Sequence, residues 1–312
     1  MKCYCDKNCI KSKEEILDKI DTLYKPCPNC SKKTLKKAIP LKRQIKLEKI
    51  DENYKKCDQC GKRHIDIVMA HVLKIMIQNN QISSTASIRK VGTPLITPAT
   101  NLEQLPYLPE KSLVIITTNC DKTTAEKISN EVPEIKAIIK GDTNITVGKL
   151  NENKQVESYT LLNGCDIRCD IQNTDIEPII LYKQQSKIHI EYPKPSSPKI
   201  EKLNKKLEKY QNPTVIDAMC GPGTLGIYAL QKNASHVVFN DIYKESLDSL
   251  KTNLKINNIQ KNTYEIYNEN ILELVENINM HFNIGIIDAF PKIETDEYVQ
   301  SLEKICDEVI II

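Results

Sequence analysis

With 312 residues, 40% of them hydrophobic and 27% charged, the chain is long enough for two or three domains with a sizeable core, and it needs no disulfides to fold. No apolar run approaches the ~18 residues of a membrane span, and Met1-Lys2-Cys3-Tyr4-Cys5 is no signal peptide. These features point away from membrane and secreted classes and towards the cytoplasm, where clustered cysteines hold metal more often than disulfides. The net charge of +3 hides an asymmetry: residues 1–66 carry 18 Lys/Arg and 10 Asp/Glu, net +8, against −5 for residues 67–312. Such a basic head suits a polyanion, whose neutralised phosphates release counterions, and equally a solvated lysine-rich surface.

Seven of the twelve cysteines fall in the first 60 residues. Cys3, Cys5 and Cys9 have an uncommon spacing for zinc; His64 or an acid could complete a site with them, or they are ordinary reduced thiols. Ser12-Lys-Glu-Glu15 is a capping box that predicts a helix to about Leu23. Cys27-Pro-Asn-Cys30 and Cys57-Asp-Gln-Cys60 form two knuckles 26 residues apart, with Pro26, Pro28 and Gly61 as turn residues. Two-residue spacing lets both thiolates of a knuckle face one ion, so the four predict a tetrahedral Zn2+ site resembling a zinc ribbon. Four thiolates leave no open position, which makes the site structural, supplying folding energy on the order of 10 kcal/mol.

Further along, Asp66 to Asn79 is dense in Ile, Val, Met and Leu on more than one face and predicts a buried helix, with His71 as a packed core residue. The Ser/Thr/Pro-rich stretch Ser83 to Thr100 reads as a linker. A small α+β domain follows, with strands expected at Ser112 to Thr117, Ile135 to Ile139, Ile145 to Leu150, Ser158 to Leu162, Ile167 to Ile171 and Ile179 to Tyr192, and a helix at Thr123 to Glu131. Cys165 and Cys169 are expected on one face of a strand, which admits a redox or metal role, with two buried thiols as the ordinary reading.

The most informative stretch is Thr214 to Asp241: an apolar strand ending in Asp217, a turn at Gly221-Pro-Gly223, a helix at Leu225 to Leu230, and a strand at His236 to Phe239 leading to Asp241. Glycine allows close backbone approach to a ligand, a helix N-terminus offers free N–H groups, and an acid about 20 residues on can bind ribose hydroxyls. A second helix (Glu245 to Asn257), a third strand (Thr263 to Tyr267), Asn270 before a helix at Ile271 to Asn277, a fourth strand (Phe282 to Asp288) and a fifth (Cys306 to Ile312) complete the pattern. Asn270 can pair with a base edge or cap its helix. Asp288-Ala-Phe290-Pro291 ends the fourth strand.

The order of an aspartate, the glycine turn and a second aspartate resembles the class I S-adenosylmethionine-dependent methyltransferases. Residues 134–141 and 160–171, with Ser197-Pro-Lys199, add a resemblance to archaeal tRNA guanine-N1 methyltransferases and wybutosine-pathway transferases. Where those enzymes carry an arginine after Ser-Pro and a glutamate four positions later, this chain has Lys199 and Leu203. Lysine cannot reproduce a bidentate fork, and leucine cannot take a proton. The resemblance implies that Asp217, Gly221 and Gly223 bind the methionine part of the cofactor, Asp241 its ribose and Asn270 its adenine, with Asp288, Phe290 and Pro291 at the acceptor. Asp288-Ala-Phe290-Pro291 also resembles the corresponding turn of tRNA guanine-N2 dimethyltransferases.

The expected architecture is therefore α/β, a shortened Rossmann-like domain of about five strands preceded by a small α+β domain and a zinc ribbon. The expected bounds are 1–66 for the basic ribbon, 67–111 for helix and linker, 112–195 for the small domain and 196–312 for the cofactor domain. Five strands leave an open sheet edge, to be covered by the middle domain, a partner or a second copy. The expected activity is methyl transfer to RNA, with tRNA as the substrate class and no membrane partner. A protein or metabolite methyltransferase, and a non-catalytic zinc-ribbon binding module, are the alternatives.

Overall fold

The computed structural model describes residues 3, 8–146, 159–291 and 293–312. Backbone contacts divide the chain into two units, one made of Cys3–Val147 and Ser158–Arg168, the other of Met1–Lys2, Gly148–Glu157 and Cys169–Ile312. Among the described residues no helix is long and apolar enough to cross a membrane.

In the first unit, α1 (Lys13–Leu23) begins as expected: Glu15 N donates to Ser12 Oγ at 3.2 Å and Ser12 N donates back to Glu15 Oε2 at 3.1 Å. The single turn α2 (Ile50–Asn53) and strand β1 (Arg63–His64) lead into α3 (Ile65–Gln78), buried without a break from Asp66 to Met76. A helix apolar on every face belongs in the centre of a core, and α3 holds that place. His71 is indeed packed there, with Nδ1 3.2 Å from Arg63 Nη1, while Arg63 forks onto the fully buried Glu134 at 2.8 and 2.5 Å.

The stretch expected as a linker contains a strand, β2 (Thr93–Ile96). It pairs antiparallel with β4 at the edge of a four-stranded sheet, the one position where Pro94 loses no ladder bond. β3 (Tyr107–Leu108) pairs with β1; β4 (Leu113–Thr117), α4 (Lys122–Glu131) and β5 (Ile135–Lys140) make a parallel crossover unit. The expected strand at 145–150 is not one at its start, since α5 (Thr143–Thr146) is a helical turn, and its remainder lies outside the described residues. β6 (Thr160–Gly164) closes the sheet in the order β2-β4-β5-β6.

The second unit takes in most of β7 (Ile167–Gln172), which pairs with β8 (Ile179–Gln184). The strand expected to run to Tyr192 stops at Gln184, where Lys187 N and Ile188 N turn back onto the Gln184 carbonyl. Then come α6 (Pro198–Leu207), β9 (Thr214–Asp217), α7 (Thr224–Lys232), β10 (His236–Asn240), α8 (Lys244–Ile256), β11 (Tyr264–Tyr267), α9 (Ile271–Asn277), β12 (Phe282–Ile287), α10 (Asp296–Leu302) and β13 (Cys306–Ile311). Strands β9 to β13 form a five-stranded parallel sheet in the order β11-β10-β9-β12-β13. Parallel strands are covered on both faces, which is why these read as continuous apolar runs. Val215, Val237, Phe239 and Ile284 enter one core, and Ile216, Val238 and Ile287 the other.

Two features of this unit position the site. The chain proceeds from β9 to one side through β10 and β11, then returns to β12 on the other side; such a reversal opens a crevice at the carboxyl ends of the strands. At the β13 edge, lysines of α6 and the turn after it act as charged guards: Lys202 Nζ donates to Ile311 O at 2.6 Å, and Lys206 and Lys209 pair with Glu308.

Candidate active site

The four polar residues that the sequence marks in this unit all lie at the carboxyl ends of strands. Asp217 ends β9, Asp241 directly follows β10, Asn270 caps the helix after β11, and Asp288 follows β12.

Cys220-Gly221-Pro222-Gly223 turns between β9 and α7. Gly221 has φ +54 and open space where a Cβ would stand; its N–H donates to Asp241 Oδ2 at 2.8 Å. The second oxygen of Asp241 accepts from Tyr243 N at 2.8 Å. Both oxygens keep lone pairs for further donors. Gly223 has φ +96, and any side chain there would meet Leu250 of α8 at 2.3 Å. Gly226 is not among the residues expected at the site. With Gly221 and Gly223 it completes a G-x-G-x-x-G spacing, and a Cβ on it would lie 2.2 Å from the Phe239 ring. The third glycine thus sets how closely α7 packs on β10.

Asn253 and Asn257 of α8 are likewise unexpected, because nothing local distinguishes them from surface asparagines. Asn253 Oδ1 accepts from Tyr182 N at 2.7 Å, and its Nδ2 donates to Tyr182 O at 3.2 Å and Pro222 O at 2.9 Å. Asn257 repeats the pairing with Ile180 at 2.9 and 2.8 Å. Two side-chain amides therefore stand in for a neighbouring strand along β8, and one of them fixes the glycine turn.

Electrostatically the site is an acidic edge. Asp217 is buried; its Oδ2 accepts from Gly226 N at 2.9 Å, while Oδ1 has no hydrogen-bond partner among the described residues. Burial pushes its carboxyl up to about 8, helped by the negative charges of Asp288 and Asp241. Burial likewise raises Asp241 and Asp288. Asp288 is partly compensated by Lys199 of α6, whose Nζ lies 2.8 and 2.6 Å from its two oxygens. Lys199 also reaches Glu191 at 3.6 Å, and Glu191 accepts from Lys183 at 3.2 Å. Lys183 and then Lys199 hold the Glu191 carboxyl well below its ordinary value. Burial would lower the Lys199 ammonium, but Asp288 and Glu191 outweigh it and raise it.

Beyond Asp288, Phe290 meets His189 edge-on, with ring centroids 5.2 Å apart and planes at 83°. His189 Nδ1 is buried with no hydrogen-bond partner among the described residues, and burial lowers the imidazole below its ordinary value. Pro291 sits exposed in the same turn. Leu203 is wholly buried in the core of α6 and takes no part in the site. Asn270 is exposed and caps α9, accepting from Leu272 N at 3.0 Å. Ile242, next to Asp241, is 61% exposed.

In the first unit, the Sγ atoms of Cys27, Cys30, Cys57 and Cys60 all lie within 4.8 Å of one another, at 3.7, 3.5 and 3.3 Å for three of the pairs. The knuckles are closed by Cys30 N donating to Cys27 O and by Gly61 N, at φ +69, donating to Cys57 O. This cluster is compatible with one tetrahedral ion. His64 is no ligand: its Nδ1 caps α3 by accepting from Asp66 N, and its ring stands edge-on to Tyr107. Cys5 lies outside the described residues. Cys165, expected to share a strand face with Cys169, precedes β7 and approaches Cys3 instead.

Residues 200–291 match the family model of the methyltransferase small domain. The tRNA (guanine(26)-N(2))-dimethyltransferase of Pyrobaculum islandicum is 34% identical over 79 residues, which is 25% of this chain and 22% of that protein. Among solved structures, Trm5 of Methanocaldococcus jannaschii with adenosine has a TM-score of 0.42 at 15% identity, covering 74% of this chain and 60% of that one. Trm5b of Pyrococcus abyssi has a TM-score of 0.41 at 17% identity, covering 64% and 56%. The chain thus spans about a fifth of the length of the curated relative and just over half of these structures. The glycine turn between two strand-end aspartates and the reversal of strand order at β9 give the second unit the fold of a class I S-adenosylmethionine-dependent methyltransferase domain, and residues 200–291 within it match the methyltransferase small domain.

Proposed function

We propose that the protein transfers a methyl group from S-adenosylmethionine to a base of RNA, with tRNA as the substrate class. The observation that carries this reading is the acidic crevice at the switch point between β9 and β12. Three buried or half-buried carboxylates, Asp217, Asp241 and Asp288, face one site with the ammonium of Lys199 held against Asp288. That arrangement fits a cofactor bearing an ammonium and a sulfonium. The orphaned Asp217 Oδ1 and the open space over Gly221 are where such a group finds a charge partner and room.

In this reading Asp217, Gly221 and Gly223 hold the methionine part and Asp241 the ribose. Asn270 offers its amide to the adenine edge, and the exposed Ile242 gives the base an apolar face. The cofactor supplies the activated methyl group, so the protein's own task is to align the acceptor, exclude water and take up a proton. Asp288, held against Lys199, orients or deprotonates the acceptor nitrogen, and Phe290 and Pro291 bound the acceptor pocket, Phe290 stacking on an unstacked base. His189 is a neutral imidazole beside Phe290 and can relay the proton. These groups occupy the functional place left by the absent arginine and glutamate.

Binding of RNA is assigned to the ribbon segment, residues 1–66, with Zn2+ on Cys27, Cys30, Cys57 and Cys60. Between the knuckles, Lys32, Lys33, Lys36, Lys37, Lys42, Arg43, Lys46 and Lys49 are all exposed. Buried Leu35, Leu41, Ile45 and Ile50 plug this segment into the core, and Gln44 bonds to Lys36 and Ile39 across it. An ordered run of eight cations suits a phosphate backbone. A cytoplasmic location accords with eleven described cysteines outside disulfides. The partner or second copy expected at the β13 edge is tested by sedimentation of the full chain.

The decisive test is isothermal titration of S-adenosylmethionine and S-adenosylhomocysteine into zinc-replete protein, with Asp241→Ala as control. Micromolar binding that the substitution abolishes is expected, followed by transfer of labelled methyl to tRNA transcripts. Binding without transfer to any RNA would favour a protein or metabolite acceptor; no binding at all would favour a non-catalytic module.

A further inference from the structure

Three thiols outside the ribbon meet in the first unit. Cys3 and Cys9 come from the N-terminal segment, and Cys165 directly follows β6. Their Sγ atoms all lie within 4.8 Å of one another, with Cys3 and Cys165 at 3.6 Å. We propose that Cys3, Cys9 and Cys165 form a second metal site, taking a single thiophilic divalent cation, zinc.

The spacing supports one ion shared by all three sulfurs. With Zn–S near 2.3 Å, tetrahedral geometry sets neighbouring sulfurs about 3.8 Å apart. The 3.6 Å separation matches that edge and the 3.3 to 3.7 Å separations within the ribbon cluster. It is well beyond the ~2.05 Å of a disulfide. It is also too short for each sulfur to serve a different iron of a cluster.

The charge is balanced as well. Three thiolates around a divalent ion leave one net negative charge, and Lys136 Nζ lies 2.8 Å from Cys9 Sγ to offset it. The backbone is shaped for the same purpose. Gly164, immediately before Cys165, has φ +87, and a Cβ there would lie 2.2 Å from the Lys136 carbonyl oxygen. Cys165 N donates to that same oxygen at 2.9 Å. The glycine thus lets β6 press against β5 and brings the buried Cys165 to the lysine that approaches Cys9. Three thiolates leave the fourth coordination position to water or another donor. A bound ion would tie the N-terminal segment to β6, across 162 residues of sequence.

Metal content of the full chain, purified without chelators and measured by mass spectrometry, tests the proposal. Two zinc ions per chain are expected, falling to one in Cys9→Ser and in Cys165→Ser, with Cys57→Ser losing the other. Cys9→Ser lies outside the core, so a folding defect in Cys165→Ser does not decide the matter. Cobalt(II) titration of the metal-stripped wild-type chain gives an independent reading: thiolate charge-transfer absorbance should rise through two equivalents, the three-thiolate site contributing about three quarters of the increment of the four-thiolate site. One zinc per chain unchanged by either substitution, a single cobalt equivalent, bound iron, or a Cys3 to Cys165 disulfide in peptide maps would each overturn the proposal.

Discussion

Lys199 Nζ stands 2.8 and 2.6 Å from the two carboxylate oxygens of Asp288, joining the first turn of α6 to the end of β12 across 89 residues of sequence. The pair forms because Asp288 is half-buried at an acidic edge and an ammonium is the nearest compensation. Burial raises the Asp288 carboxyl, and Lys199 opposes that rise. Removing the lysine therefore leaves burial unopposed. In Lys199→Met, methyl transfer at neutral pH should fall about 10- to 100-fold, and the acidic limb of the pH–rate profile should move up by about 1–2 pH units. Lys199→Arg should keep the limb in place. A pH–rate series with labelled cofactor reads all three, and an unmoved limb in Lys199→Met would remove Asp288 as the titrating group.

Asp217 connects stability with binding. Its carboxyl is raised by burial from 3.8 to about 8, so the folded chain binds more protons than the unfolded one between these values. Stability from this group is complete below about 3.8 and is lost progressively as pH rises to about 8. Asp217→Asn, which still accepts from Gly226 N, should therefore stabilise the cofactor-free chain at pH 8 by about 1–3 kcal/mol. The same substitution should weaken cofactor binding. In the wild type, affinity should climb about tenfold per pH unit below the raised value, because only the carboxylate pairs with a cation. Urea melts at two pH values and titration calorimetry measure the opposing effects.

Gly226 lies under the Phe239 ring, and an added methyl would fall 2.2 Å from it. The ring is fully buried, so it has no open space into which to retreat. Gly226→Ala should cost about 1–3 kcal/mol by overpacking, more than helix propensity returns. Cofactor affinity should drop with it. Denaturant melts and titration calorimetry read the two effects, and an unchanged midpoint would mean that α7 can lift off the ring at no cost.

The basic stretch between the knuckles makes a prediction in salt. Replacing Lys36, Lys37, Lys42 and Arg43 by alanine should weaken tRNA binding and flatten the log–log salt slope by about 2.8–3.6, at about 0.7–0.9 for each phosphate no longer neutralised. Cofactor affinity should not change. Filter binding at several salt concentrations reads the slope, and an unchanged slope would return these cations to the role of a solvated surface.

Much of this protein is legible in short stretches of its sequence. The capping box at Ser12, the Cys27 to Cys60 knuckles, the glycine turn and the strand-end positions of Asp217, Asp241 and Asp288 depend on neighbours a few residues away, where local sterics and hydrogen bonding decide the conformation. Segments with weak local signals depart from expectation: β2 forms inside a Ser/Thr/Pro-rich stretch because β4 offers it an edge, and the strand expected to reach Tyr192 ends at Gln184 because the chain turns there. The long-range pairings were decided only by tertiary structure. Lys199 meets Asp288, His189 meets Phe290, Asn253 holds both β8 and the glycine turn, and Cys165 meets Cys3, each across a distance in sequence that no local pattern encodes. Burial then sets their charge states, because the cost of keeping a carboxylate or an imidazole ionised depends on what surrounds it after folding.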